Sequence, residues 1–490
     1  MVKNCNYFNV FAWILLVATG LVLAACGPAP DSGDAALAPD DGDRLRVDLI
    51  VAGDQVVTMD EDATVIPDGA VAIDQGLIVA VGAAAEIDDK YTAAERLPGT
   101  NRVVMPGLIN GHSHAAMTLL RGVADDLALM DWLNNYIFPA EVQFVDAEFV
   151  RIGTELACWE MIRGGTTTFV DMYYYPDTIA DVVADCGLRA MISATVIGQR
   201  SPDAEGAADS IDKGRAFIDR WQGRNSRIQP IFGPHANYTL DADQLRATRA
   251  AAIDAGVPIS IHLAESPFEV DYSKETYGTT SIEFLESIGF FDGPVIGAHV
   301  VWPTPGEIRI LAQRDVGVIH NPTSNMKIAS GIAPVTAMLA AGVDVGLGTD
   351  GAASNNDLDM WEEMRLAAFL QKVDRMNPEV LPAETVLAMA TRGGAAAIGL
   401  ADQVGQLRTG LRADLIQVSL DDVHFVPTYD VMSHLVYVAD EQDVTSVIVD
   451  GRVLLRDGEF LTLDTARIAR EARALAARIE QALTAQNTGG

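Results

Sequence analysis

Between residues 103 and 348, short apolar runs rich in β-branched residues alternate with longer stretches whose apolar positions recur at helical spacing. The runs fall at 103–110, 166–172, 188–198, 228–235, 257–264, 294–301, 316–320 and 343–348. Continuous apolar runs of this length read as strands buried on both faces, and strands separated by helices are joined by parallel crossovers. Eight such units predict an α/β chain folded as a TIM (β/α)8 barrel. The helical spacing is plainest at 147–163, 242–255 and 333–341, each followed at once by a glycine that can end a helix.

On either side the pattern changes to short β-like runs broken by Gly and Asp. Residues 48–51 and 70–73 precede the barrel; residues 414–418 and 444–449, the latter followed by the turn pair Asp450-Gly451, come after it. The two ends are expected to pair into one small β-sandwich domain built from residues 46–104 and 401–461, around a catalytic barrel domain spanning 105–400. Residues 462–490 are Ala- and Arg-rich with helical periodicity, and predict a C-terminal helix and tail packed on the surface.

The N-terminus follows a different logic. Lys3 precedes an apolar run over residues 8–23 that is short for a membrane span and ends in Leu23-Ala24-Ala25-Cys26-Gly27. That ending resembles the lipobox of bacterial lipoproteins, which implies a signal peptide over residues 1–25 and lipidation of Cys26. Residues 26–45, rich in Pro, Asp, Gly and Ala, read as a tether that cannot fold alone. The expected product is an exported lipoprotein on the periplasmic or cell-surface side, touching the membrane through its lipid anchor only.

Composition narrows the range of partners. Asp and Glu number 68 against 34 Lys and Arg, a formal net charge of −34, so the surface field repels phosphate backbones and excludes nucleic acid as a natural partner. Apart from Cys5 and Cys26, only Cys158 and Cys186 remain, in apolar surroundings without zinc-knuckle spacing. They read as two buried thiols, with a single bridge left open. Association into a homo-oligomer is also left open.

Six of the eight histidines, His112, His114, His235, His262, His299 and His320, fall at the carboxyl ends of the predicted strands, where TIM barrels build their active sites. His112 and His114 stand two apart in Asn110-Gly111-His112-Ser113-His114, so both can face one side of a strand end. His262 ends the fifth run in Ile261-His262-Leu263-Ala264-Glu265, and Asp350 follows the eighth in Gly348-Thr349-Asp350-Gly351. Three imidazoles and one carboxylate suit a divalent cation with room for a water: zinc is the expectation, iron(II) the alternative. His320, in a turn-forming context, and His424 and His434, in the returning β segment, are read as structural.

These motifs resemble the amidohydrolase superfamily, and within it the branch of 5'-methylthioadenosine/S-adenosylhomocysteine deaminases, with triazine hydrolases and guanine deaminases as relatives. The resemblance runs from about residue 46 to 458. It implies hydrolytic release of ammonia from the purine ring of a small heterocyclic substrate, an adenosine-like nucleoside, using water made acidic by the cation. Binuclear relatives carry a lysine at the end of the fourth strand; this chain has Gly233-Pro234-His235, which implies one metal. The resemblance further implies that Glu265 shuttles protons between the ring nitrogen and the departing ammonia, that Asp350 takes the water's proton, and that His299 orients the nucleophile. Glu141, His235 and Arg200 are the implied substrate contacts, Glu141 at the ribose hydroxyls and Arg200 at the substrate's tail. The competing expectations are an amidohydrolase for another heterocycle (guanine, a pterin or a triazine) and a lipid-anchored binding protein without catalysis.

Overall fold

A computed structural model describes residues Arg44–Gly489. The expected signal peptide over residues 1–25, the expected lipidation site Cys26 and most of the expected tether lie outside the described residues.

The chain opens with β1 (Leu45–Val57), β2 (Val65–Asp74), β3 (Leu77–Ala83), β4 (Tyr91–Leu97) and β5 (Arg102–Pro106). After the barrel the same sheet is completed by β14 (Leu415–Ser419), β15 (Val444–Val449), β16 (Arg452–Arg456) and β17 (Glu459–Phe460). The strand order is β17-β16-β15-β14-β5-β1-β2-β3, with β4 added alongside β1. β1 is long enough to serve two neighbours: its first half runs parallel to β4 and its end parallel to β5. Its alternating side chains bury both faces, Leu49 and Val51 in one apolar cluster, Ile50 and Ala52 in another. The sheet thus joins N- and C-terminal segments, as the matching β patterns at the two ends predict.

The barrel strands are β6 (Leu108–Ser113), β7 (Thr166–Tyr173), β8 (Arg189–Val196), β9 (Ile228–Pro234), β10 (Ile259–Leu263), β11 (Val295–His299), β12 (Gly317–His320) and β13 (Val345–Leu347). Each pairs parallel with the next. The ring is closed by a short lap between the ends of β13 and β6. The Asp350 amide donates to the His112 carbonyl at 2.9 Å, and Asn110 bonds Thr349 through both its amide nitrogen (2.7 Å) and its oxygen (3.1 Å). Ile109, Val170, Met191, Ile231, Ile296 and Ile319, one from each of six strands, fill the interior, so the barrel is a packed core that opens only at its rim.

Seven of the strands lie within two residues of their predicted positions. The first run, 103–110, corrects to two strands. Gly107 marks the crossing from the sheet to the barrel: a Cβ there would lie 2.1 Å from Thr167, and its amide donates to the Asp414 carbonyl at 3.1 Å. The helices Ala147–Arg163 and Ala242–Ala255 form as predicted, capped by Asp146 and by the Asp241/Gln244 box. The third helix shortens to Val335–Ala340 because Pro334 disfavours helical geometry at Ala333. The C-terminal helix runs Thr465–Gly489.

Arg189 and Asp414 tie barrel to sheet through a buried bidentate pair at 2.7 and 3.0 Å. Cys158 and Cys186 are free, buried thiols with their sulfurs 3.0 Å apart. Among the described residues no helix is long and apolar enough to cross a membrane.

Candidate active site

The strand ends carry the chemistry because the chain turns sharply there. Ala264, His299, Val300 and Asp350 all adopt positive φ (48°, 74°, 45° and 63°), a region that residues other than glycine avoid. Four such positions around one rim concentrate backbone strain where side chains must be re-aimed into the barrel mouth.

There, the imidazoles of His112, His114 and His262 converge, with ring centroids 4.8–5.2 Å apart. His114 Nε2 lies 3.2 Å from His262 Nε2 and 3.1 Å from Asp350 Oδ1, and His112 Nε2 lies 3.6 Å from the same carboxylate oxygen. Tautomers explain why these contacts matter. His114 Nδ1 donates to the Met172 carbonyl at 2.5 Å, and His262 Nδ1 to the His235 carbonyl at 2.8 Å. In the neutral rings each Nε2 therefore carries a bare lone pair. Bare lone pairs facing one another and a carboxylate are repulsive unless a positive charge sits between them. Four donors around zinc, at bond lengths of about 2.0–2.1 Å, stand roughly 3.3 Å from one another, and the three distances just given, 3.1, 3.2 and 3.6 Å, are close to that. His112 meets the same test: it is fully buried, and neither ring nitrogen has a hydrogen-bond partner. The residues fit a single divalent cation, and no lysine stands at the end of β9, where Pro234 is followed by His235.

The electrostatics agree. Burial drives the His112 ring down to about 4 and the His235 ring to about 3, keeping both neutral. At His114 burial is outweighed by Asp350, whose hydrogen bond raises the ring to about 9. Asp350 itself, despite its burial, is held well below the usual carboxylate range by His112 and His114. These atoms demand one positive charge among them.

The other sequence-predicted residues divide into two groups. His299 is fully buried, its Nδ1 2.8 Å from Asn325 Oδ1 and its Nε2 3.9 Å from Glu265 Oε1. Its ligating atom also lies within 4.8 Å of those of His112, His262 and Asp350, so it stands close enough to join the ligand set as well as to orient a nucleophile. Glu265, His235 and Glu141 line a cavity, partly open to solvent, that His114, His262 and Asp350 line as well. Glu141 is buried and accepts from the Tyr174 hydroxyl at 3.2 Å, and burial pushes its carboxyl up to about 7. Arg200 is not brought to this cavity. Its side chain is 74% exposed and sits 3.6 Å from Glu205, because the chain after β8 turns outward.

Residues 103–454 match the model of the amidohydrolase family. The chain belongs to this family. Among curated amidohydrolases of this kind, the chain is 45% identical to the 5'-deoxyadenosine deaminase of Methanosarcina mazei over 427 residues, covering 87% of this chain and 97% of the relative. It is 44% identical to the 5-methylthioadenosine/S-adenosylhomocysteine deaminase of Pelotomaculum thermopropionicum over 432 residues, covering 88% and 98%. The crystal structure of an adenosine deaminase from Xanthomonas campestris with bound zinc superimposes with a TM-score of 0.87 at 38% identity, covering 89% of this chain and all of that one.

Several residues that shape this amidohydrolase site escaped the sequence reading. Ser324 and Ser354 both donate to Asp350 Oδ2 at 2.7 Å, so Oδ1, which accepts the Gly351 amide at 2.7 Å, is the carboxylate oxygen turned toward the imidazoles. Glu269 accepts from the amides of Ala264 and Glu265 at 2.9 and 2.8 Å, which pins the loop that presents Glu265. Glu363 receives Asn355 and the Thr323 amide. The sequence does contain one signal for Glu269: a serine three residues earlier, at the N-cap of the helix Pro267–Tyr277, fixes the turn that brings it back.

Proposed function

We propose that this protein is a metal-dependent hydrolytic deaminase of adenosine-like nucleosides, of the 5'-methylthioadenosine/S-adenosylhomocysteine type, with zinc as its cation. As an amidohydrolase with this site, it is a hydrolase acting on carbon–nitrogen bonds other than peptide bonds. The observation that carries the reading is the convergence of His112, His114, His262 and Asp350, with His114 3.1 Å and His112 3.6 Å from Asp350 and His114 3.2 Å from His262, at a cavity lined by His114, His262, Asp350 and Glu265. The names of the relatives point to the same reaction class.

The cation, when bound, supplies a water acidic enough to lose a proton near neutral pH. The remaining work falls to the chain's own groups. Burial raises the Glu265 carboxyl despite the opposing pull of His299, which suits a group that gives a proton to the ring nitrogen and carries another to the departing ammonia. Asp350 takes the proton from water, and His299, fixed by Asn325, orients the attacking oxygen and stabilises the adduct. Glu141 accepts the ribose hydroxyls, with His235 beside the base. One water is consumed and one ammonia released per nucleoside. The lipobox-like sequence at Cys26 supports an exported enzyme held by a lipid anchor.

The test is a panel of amino-purine nucleosides, guanine, pterins and triazines incubated with zinc-replete protein and assayed for ammonia and ultraviolet change. Nucleosides should be turned over, and Glu265→Gln should bind them while losing about 100-fold or more in kcat. Turnover confined to pterins or triazines refutes the nucleoside reading. Unchanged binding with no turnover by the parent protein leaves only a receptor.

A further inference from the structure

We infer that the cavity selects nucleosides by the charge of the 5' substituent, accepting uncharged apolar groups such as hydrogen or an alkylthio chain and rejecting a tail that ends in a carboxylate. The inference rests on the deaminase reading for the placement of the nucleoside, and divides the two substrate chemistries that the relatives' names join.

The wall beside Glu141 is apolar. Leu129, Trp132, Leu133, Ile137 and Phe138 all line the cavity, and they lie on the stretch of chain that leads directly into the helix Phe138–Phe144 carrying Glu141. If Glu141 grips the ribose hydroxyls, the 5' carbon of the same ring is within a few bonds of this wall. An alkyl or thioether group removed from water there gains hydrophobic contact.

A carboxylate meets the opposite conditions. The carboxyl and carboxylate groups lining the cavity are Glu141, Glu265 and Asp350, and among the described residues no lysine or arginine lines it. The cations flanking it are already engaged. Lys327, next to the lining residue Ile328, is bonded to Asp125 at 2.6 Å and to the Ala353 carbonyl at 3.4 Å. Arg121 is paired with Glu160 and donates to the Asn356 carbonyl at 2.6 Å. Arg200, the expected tail-binding residue, faces solvent near Glu205. The homocysteine tail is a zwitterion: these carboxyl groups can pair with its ammonium, but its carboxylate would be stripped of water without gaining a protein partner.

Length must be separated from charge, so the test uses four compounds: adenosine, 5'-methylthioadenosine, 5'-butylthioadenosine and S-adenosylhomocysteine. The butylthio chain approximates the reach of the homocysteine tail without its charges. Binding is measured calorimetrically on zinc-loaded Glu265→Gln protein, and kcat/KM by ammonia release from the parent. The two alkylthio nucleosides should agree within about tenfold in both measurements, and S-adenosylhomocysteine should fall about 100-fold below them. The inference is overturned if S-adenosylhomocysteine comes within tenfold of the butylthio compound. It is equally overturned if the butylthio compound is as poor as S-adenosylhomocysteine, since space and not charge would then decide. Selective binding of the alkylthio compounds without any turnover would sustain the selection and remove the deaminase reading; absence of binding by all four would remove both.

Discussion

Asp350 is gripped from both sides: Oδ1 faces His112 and His114 and accepts from the Gly351 amide at 2.7 Å, while Oδ2 takes hydrogen bonds from Ser324 and Ser354. Outer groups of this kind set the orientation of a ligating carboxylate, and losing them typically costs metal affinity about 10–100-fold. Ser354→Ala and Ser324→Ala should each weaken zinc retention in that range, and the double variant more than either, as read by competition with a chromogenic chelator. If both single variants hold zinc as tightly as the parent, the serines only fill space. That His112, His114, His262 and Asp350 come together could be read from sequence because a TIM barrel confines its chemistry to strand ends, and six histidines at predicted strand ends are visible as a pattern. The serines could not, since their role depends on two loops meeting across the barrel rim, 26 residues apart between Ser324 and Asp350. Arg200 shows the converse: position after a strand end says little about direction once the chain has left the strand.

The loops after β12 and β13 are joined by one side chain from the helix Met360–Arg375. Glu363 accepts from Asn355 Nδ2 at 2.7 Å and from the Thr323 amide at 3.1 Å, and Asn355 Nδ2 also reaches the Thr349 carbonyl at 2.8 Å. The brace thus spans the segments that carry Ser324, Asp350 and Ser354. Glu363 is fully buried, and burial lifts its carboxyl well above its ordinary 4.5. The sign of the pH effect follows: a raised carboxyl contributes its full share of stability below 4.5 and loses it as the pH climbs toward the folded value. Glu363→Gln, which cannot ionise, should therefore gain stability relative to the parent as pH rises from about 4.5 to 7, in thermal melts of the two proteins side by side. Glu363→Ala removes both acceptors and should cost about 1–3 kcal/mol below about pH 4.5 and less as the pH rises, while lowering kcat more than KM. A pH-independent difference between Glu363→Gln and parent would show that the carboxyl is not raised. At this scale strands and capped helices were legible, because periodicity and N-cap chemistry are local. The division of the first run at Gly107 was not, since Arg102–Pro106 and Leu108–Ser113 are equally apolar and differ only in the sheet they join.

Charge acts on the molecule as a whole. If every one of the 34 basic side chains neutralised one acid, 34 of the 68 carboxylates would still be left without a partner. Added salt has two opposite effects on such a protein. It weakens the surface ion pairs, such as Arg220–Asp177 and Arg314–Asp292, which contribute little because water and side-chain entropy already oppose them. It also screens the repulsion among the unpaired carboxylates, which is summed over many pairs and reaches further, since the screening length falls from about 30 Å at 0.01 M to about 10 Å at 0.1 M. The second effect wins when one sign is in such excess, so raising monovalent salt from about 0.01 to about 0.5 M at neutral pH should raise the melting temperature by a few degrees. The buried Arg189–Asp414 pair that ties barrel to sheet is largely out of reach of this screening. Arg189→Met should therefore lower the melting temperature by a similar amount in low and high salt, whereas a salt-dependent penalty would place that joint at the surface.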